Sequence, residues 1–482
     1  MPRLISAALI VAALLVTSGI TRAYLSRDLP TLKPWHFPHL DAEFRARDFR
    51  DGISFEDYQE IETRLVAQMS ERVSGRLRAE DRGASNRYDP NSPAHPDAWS
   101  QNWNLSFELP HPNPTGAIVL LHGASDSPYS LRALAQRFSA AGLHVIVPRL
   151  PGNGTLPGEL LRVRSEDWTA VTRMAVARAH DLVGERPVFI GGYSTGAALS
   201  LQHALQGLRD RTQMVDGLFL FSPAIGITRF AALAKWDVLL SRLPVFRKFA
   251  WMNIWPEYDP FKYASFPKQA GHLVHEISEG NKALVERLKD TPAWDLLPPI
   301  ITFQSVVDET VDVTSVLDFY VDLNSNRHQL VLFDVNRSST IAPFLVEAGD
   351  QVLQALNDDP LSARDITLVG SLGTGSTVVA RRHCSPTTAC STMRRLEQTW
   401  PASVYSLSHI AVPFSPKDPL YGTENTSAAP SGYNLGRLSP KGERRVLVIP
   451  AEDLNRLRYN PFFDYMALRM LAACPVCIGG GS

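Results

Sequence analysis

The sequence predicts an α/β fold: a mainly parallel sheet with helices on both faces. Three observations carry this. Short apolar runs recur at 117–121, 144–148, 188–191 and 217–221, and segments of helical length separate them. These runs are almost wholly apolar rather than alternating, the pattern of strands covered on both sides. The same kind of run returns at 300–304 and 329–333, after an aromatic-rich interruption, so one sheet continues across an insertion.

Taken in order, the chain starts with residues 4–20, an uncharged and largely apolar stretch with Arg3 before it and Arg22, Arg27 and Lys33 after it. A spanning helix needs about 20 such residues, and a secretory signal core needs fewer. Residues 1–25 are therefore expected to be a signal anchor or signal peptide. The expected location is a membrane-anchored chain with its domain in the periplasm or outside the cell. Residues 26–98 form an N-terminal extension. Within it Tyr58, Ile61, Leu65, Met69, Val73 and Leu77 fall on one face of an amphipathic helix, which packs on a core or, alternatively, lies on a membrane surface. Residues 99–109 read as an outer antiparallel strand. The core then runs through helices at 131–141 and 168–182 to residue 227.

Residues 228–290 break the rhythm with Trp236, Phe246, Trp251, Trp255, Phe261 and Tyr263 among prolines, and read as a cap. Those aromatics suit an apolar substrate or simply pack the cap itself. Residues 291–482 return to the core. They include an insertion near 336–400, a hairpin around the glycine-rich run at 370–375, a strand at 445–450 and a final helix at 462–473. No G-K-[ST] follows that glycine run, so it is not a phosphate loop.

Net charge is −1 and the pI about 6.9, so neither nucleic acid nor another strongly charged partner is expected. Oligomeric state stays open. The four cysteines, Cys384, Cys390, Cys474 and Cys477, all lie late in the chain. Sequential pairing, 384 with 390 and 474 with 477, asks least of the chain. A zinc site and free thiols are the alternatives.

The chemistry centres on Gly192-Tyr193-Ser194-Thr195-Gly196, a G-x-S-x-G between a strand and a helix of small residues. That is the setting of a nucleophile elbow, where a serine hydroxyl stands proud of the sheet on a tight turn. Three other segments accompany it: residues 120–128 with His122-Gly123, residues 148–155 with Pro151-Gly152-Asn153-Gly154, and a strand leading to Asp308. In this order and spacing the chain resembles the α/β-hydrolase superfamily, and within it the bacterial carboxylesterase and monoacylglycerol lipase group. Asn153 replaces that group's usual histidine.

The resemblance implies a serine hydrolase of carboxylic esters, with Ser194 as nucleophile and the backbone amides of Thr195 and Ala124 as the oxyanion hole. His122 then shapes its loop. The acid follows the nucleophile, and the base comes last. Asp308 is the acid, with Glu309 and Asp312 as alternatives. After Asp308 only His328, His383 and His409 remain, and His409, in a Ser-His setting, is the expected base. A lipid or other small-molecule ester is the expected substrate, and no metal or cofactor is implied. The same triad could serve a thioesterase, lysophospholipase or peptidase. A catalytically silent, membrane-tethered binding protein of this fold is the other reading, because the histidine lies so far from the acid.

Overall fold

The structure, a computed structural model, describes residues 29–48, 53–212, 214–226, 244–308, 310–323, 325, 327–336, 365–371, 378–385, 388–401, 406–423, 432–436 and 458–477, with positions 17, 21 and 24. Apart from positions 17, 21 and 24, the apolar N-terminal stretch and its flanks up to residue 28 lie outside the described residues. So do much of the cap's first half and the expected strand at 445–450. Among the described residues no helix is long and apolar enough to cross a membrane.

The strands are β1 (Phe107–Leu109), β2 (Gly116–Leu121), β3 (Leu143–Val147), β4 (Val188–Tyr193), β5 (Gly217–Phe221), β6 (Trp251–Asn253), β7 (Phe266–Pro267), β8 (Ile300–Ser305), β9 (Gln329–Phe333), β10 (Asp365–Ser371), β11 (Val378–Ser385) and β12 (Thr388–Thr399). All but β6 and β7 join one sheet in the order β1-β3-β2-β4-β5-β8-β9-β10-β11-β12. From β3 to β10 every neighbour is parallel; β1, β11 and β12 pair antiparallel at the two edges. Strands β2, β3, β4, β5 and β8 are buried at every position, as their largely apolar sequences allow.

The helices are α1 (Phe55–Arg72), α2 (Arg132–Ala140), α3 (Ser165–Val183), α4 (Thr195–Asp210), α5 (Lys268–Leu288), α6 (Val313–Asp322) and α7 (Phe463–Ala473). One face of the sheet packs with α3, α4, α5 and α6 through Trp168, Leu201, Ile277 and Tyr320. The other packs with α2 and α7 through Leu134, Phe138, Met466 and Met470. Each such side chain contributes about 1.5–3 kcal/mol on burial.

Several expectations meet a different local outcome. Only residues 107–109 of the outer strand pair with β3. Upstream of them Trp99 turns inward onto Tyr129 and Phe261, with ring centroids 6.2 and 5.1 Å away, and leaves the sheet edge. The second half of the expected cap is α5, a body helix. Its apolar face enters the main core, and Asn281 Nδ2 donates to Ala198 O of α4 at 2.8 Å. Residues 365–371 and 378–385 do form the hairpin, but β10 also pairs parallel with β9 and so belongs to the main sheet.

The N-terminal extension is built into the body. Ser54 and Asp57 form a capping box at the start of α1. Tyr58, Leu65 and Met69 are buried, and the Tyr58 hydroxyl donates to Arg149 O at 2.8 Å. Arg149, fully buried, carries a two-pronged pair with Glu43 at 2.9 and 3.0 Å, and a third bond to Glu62 at 3.0 Å. Glu62 also accepts from the Ser106 hydroxyl and amide, and Glu43 from Gly152 N.

Cys474 and Cys477 form a disulfide just after α7, which removes them as zinc ligands or free thiols. Cys384 and Cys390 fall on adjacent antiparallel strands. The ladder pairs His383 with Thr392 and Ser385 with Thr388, so the backbone sets Cys384 opposite the irregularity that holds Cys390. The side chains of these two lie outside the described residues.

Candidate active site

Strand β4 delivers Ser194 at its carboxyl end, where the chain turns directly into α4. Ser194 has φ 55° and ψ −112°, one of three described non-glycine residues with positive φ. A left-handed serine costs of order 1–3 kcal/mol and persists only where the surroundings impose it. Here its N–H donates to Phe221 O at 2.8 Å, and its carbonyl accepts from Ala198 N and Ala224 N. The two glycines of the motif are steric necessities. A Cβ on Gly192 would stand 2.3 Å from the Gly196 carbonyl carbon, and one on Gly196 would stand 1.9 Å from Leu121 O. The turn is that tight because α4 starts hard against the end of β2.

Asp308 sits in the turn after β8, and His409 opens a single 3-10 turn, His409–Ala411. The structure brings them together: His409 Nδ1 lies 2.8 Å from Asp308 Oδ2, across 101 residues of chain. Both are buried, and the imidazole faces the Tyr193 ring with 5.1 Å between centroids. Asp308 Oδ1 accepts from Thr310 N at 2.8 Å and Val311 N at 3.0 Å. Its Oδ2 also accepts from Gln304 Nε2 at 3.0 Å. Burial alone would raise the Asp308 carboxyl. The charge and hydrogen bond of His409 and the two backbone donors outweigh it and hold the group below the usual carboxylate range.

Of the alternatives, Asp312 and His328 are described and lie elsewhere. Asp312 caps α6, accepting from Thr314 N, Ser315 N and the Ser315 hydroxyl. Glu309 lies outside the described residues. His328 is buried at the amino end of β9, away from the edge that carries Ser194. His383 lies within β11, beyond β10 in the sheet, and its side chain is outside the described residues.

The two residues named from sequence as oxyanion donors lie at the carboxyl ends of β4 and β2. Thr195 is the first residue of α4, so its N–H has no intrahelical acceptor. Ala124 follows His122-Gly123 at the end of β2, and among the described residues neither amide is engaged in a turn or cap hydrogen bond. His122 fixes that loop. Its Nδ1–H donates to Gly123 O at 2.8 Å, and its Nε2 accepts from Leu150 N at 2.9 Å. Complete burial pushes its pKa down to about 4, so the ring is neutral and each nitrogen has one role. Asn153 is buried in the loop that Leu150 begins, and its carbonyl accepts from Arg149.

Sequence reading missed the wall around this loop. Lys262 Nζ reaches Asp126 Oδ1 at 2.8 Å, and Tyr263 N donates to Ser125 O at 2.8 Å. The Tyr263 hydroxyl accepts from Thr155 N and donates to Gly152 O. Residues after the histidine close over the same segment. Tyr421 donates to Asp259 at 2.6 Å, Tyr433 to Tyr258 O, and Tyr129 to Asp418 at 2.8 Å. Aromatics 258, 261 and 263 therefore serve as packing and hydrogen-bonding parts of the body.

Parts of the chain are similar to known proteins. Residues 112–335 match the family model described as serine aminopeptidase, S33. A 117-residue stretch is 31% identical to a thermostable monoacylglycerol lipase of Bacillus sp. (strain H-257), covering 24% of this chain and 43% of that protein. A stretch of equal length is 30% identical to phospholipase YtpA of Bacillus subtilis (strain 168), covering 24% and 42%. The chain thus spans less than half the length of these curated relatives. Among solved structures, a monoacylglycerol lipase of Paleococcus ferrophilus aligns with 47% of this chain and 87% of its own, at 20% identity and a TM-score of 0.36. Strand order and the elbow give the chain an α/β-hydrolase fold, and over residues 112–335 it is similar to that family model, as its 117-residue stretch is to the monoacylglycerol lipase and the phospholipase.

Proposed function

We propose that the chain hydrolyses carboxylic esters through Ser194, His409 and Asp308. The observation that carries this is the 2.8 Å contact of a buried imidazole with a buried carboxylate, both on the sheet edge that presents Ser194. Ser194 attacks the ester carbonyl while His409 takes its proton, and Asp308 holds the imidazole in the Nδ1–H tautomer. The Thr195 and Ala124 amides receive the developing oxyanion. The alcohol leaves with the proton from His409, and water, activated by the same base, releases the acid from the acyl-enzyme.

Relatives described as a monoacylglycerol lipase and a phospholipase favour an acyl ester of lipid type. The family description adds a peptide reading on the same triad, and thioester cleavage would need no other machinery. The paired histidine weighs against a silent binding protein. We also propose that residues 1–25 tether the chain to a membrane, with the domain in an oxidising compartment; the Cys474–Cys477 disulfide supports that location.

The test is turnover of a p-nitrophenyl ester series of rising acyl length, beside an amino-acid p-nitroanilide and an acyl thioester. Ester turnover that disappears in folded Ser194→Ala and His409→Ala is the expected result. Faster anilide or thioester cleavage would reassign the substrate class, and a folded parent with no turnover would overturn hydrolysis.

A further inference from the structure

The Asp308 carboxylate is held by more than its histidine. Its two oxygens present about four lone-pair sites, and four donors fill them. Thr310 N and Val311 N occupy Oδ1; His409 Nδ1 and Gln304 Nε2 share Oδ2. Two of these donors are backbone and would survive side-chain changes. Among the described residues Gln304 is the side chain, besides His409 itself, that reaches this carboxylate.

Gln304 is suited to hold a fixed angle. It is the penultimate residue of β8, fully buried, with its backbone in the ladder between β5 and β9. Its amide nitrogen also donates to Ser305 O at 3.3 Å. The amide orientation is chemically determined, because turning it over would set its oxygen against a carboxylate oxygen. Its own Oε1 is buried without a described partner. A core position on a buried strand would ordinarily carry an aliphatic residue, and a glutamine with one end unpaired costs free energy there. That cost is offset by what the other end does.

We propose that Gln304 is a positioning residue of the triad, one that keeps the Asp308 carboxylate ionised and turned toward His409 Nδ1. This rests on the hydrolase reading above. The donor at Oδ2 withdraws electron density from the oxygen that faces the imidazole. It therefore limits how tightly the acid holds the proton that His409 gains and must later release. Among titratable groups, the Tyr193 phenol ring faces the imidazole, while Asp312 is turned to its helix cap.

The test uses the full chain with Gln304→Met, close in volume and lacking a donor, and Gln304→Glu, equal in volume and replacing the donor with an acid. Serine labelling by a fluorophosphonate is followed against pH, with kcat and KM for an ester substrate and thermal melting as the folding control. For Gln304→Met we expect kcat and the labelling rate to fall about tenfold, the size of a lost charge-assisted hydrogen bond, with KM within twofold. The acid limb of the rate profile moves to higher pH by ~0.5 unit, because the acid now holds the imidazolium proton more tightly. Gln304→Glu moves it further, since a second carboxyl beside Asp308 opposes ionisation of the pair. If either folded variant keeps the parent rate and midpoint, with only the melting temperature changed, Gln304 is a packing residue and the proposal fails. A parent that is not labelled at Ser194 would overturn the hydrolase reading and this one together. A parent whose labelling depends on His409 but not on Gln304 would overturn this one alone.

Discussion

Removing the Arg149 side chain is the sharpest test of how the N-terminal extension is joined to the catalytic body. Arg149 is completely buried, bonded to Glu43 at two points and to Glu62 at a third. Burial disfavours its charge, but the two carboxylates and Tyr58 outweigh that and push its pKa well above the ordinary arginine value. Arg149→Met leaves two carboxylates in the interior without their cation. Breaking a buried pair from one side costs about 3–5 kcal/mol. The loss should depend on pH. Burial already raises Glu62, the attraction of Arg149 opposing it, so without Arg149 its folded-state value rises further. A carboxyl raised in the folded state takes up a proton on folding between its unfolded and folded values, so stability is retained below the unfolded value and lost as pH climbs through the folded one. Urea unfolding at pH 5 and pH 8 measures both effects. The expected deficit is about 3–5 kcal/mol at pH 8 and clearly smaller at pH 5. The triple variant Glu43→Gln, Glu62→Gln, Arg149→Met recovers most of it, because no buried charge is left unpaired. A single-variant deficit under about 1 kcal/mol at pH 8, or one independent of pH, would refute the reasoning.

Three further outcomes follow from named contacts. Gly196→Ala forces a Cβ to within 1.9 Å of Leu121 O, so α4 must shift and Ser194 with it; ester turnover should fall by about 100-fold or more in protein that still melts cooperatively. Glu159 is raised to about 7, chiefly by burial, with the His39 and Leu40 amides on one oxygen and no described partner on the other. Its protonated form is the stable one, so folding stability drops as pH rises from about 5 through 7, and Glu159→Gln should stabilise by about 1–2 kcal/mol at pH 8 and by nearly nothing at pH 5 in parallel melts. The disulfide closes only a three-residue separation, so Cys474→Ser with Cys477→Ser should cost about 2 kcal/mol in urea unfolding while leaving kcat unchanged.

What the sequence disclosed divides along a physical line. The elbow was legible because its requirements are local: two glycines, a serine and a strand-to-helix change within a dozen residues. The parallel core was legible because strands buried on both faces need unbroken apolar runs. Asp308 and His409 could be named from their order in the chain and their loops, since few histidines follow the acid. Asp312 needed the structure, because an aspartate that caps a helix and one that orients an imidazole look alike in a string of letters. Arg149 gave no signal. Its partners are Glu43 and Glu62, brought together by tertiary packing over separations of 106 and 87 residues, and nothing in their spacing implies contact. In the sequence helix α5 reads as part of a cap because it follows an aromatic, proline-broken stretch; its apolar face fits either role, and only packing on α4 decides. The link from Tyr258 and Asp259 to Tyr433 and Tyr421 was likewise invisible, being made of tyrosine hydroxyls that meet a backbone carbonyl and a buried carboxylate from a distant segment.

Labelling of the full chain by a fluorophosphonate, with the modified peptide identified by mass, tests the central claim most directly. Parent protein should carry the label on Ser194, and folded His409→Ala and Asp308→Asn should react at least about 100-fold more slowly. Labelling of His409→Ala at the parent rate, or a label on another serine, would contradict the triad of Ser194, His409 and Asp308.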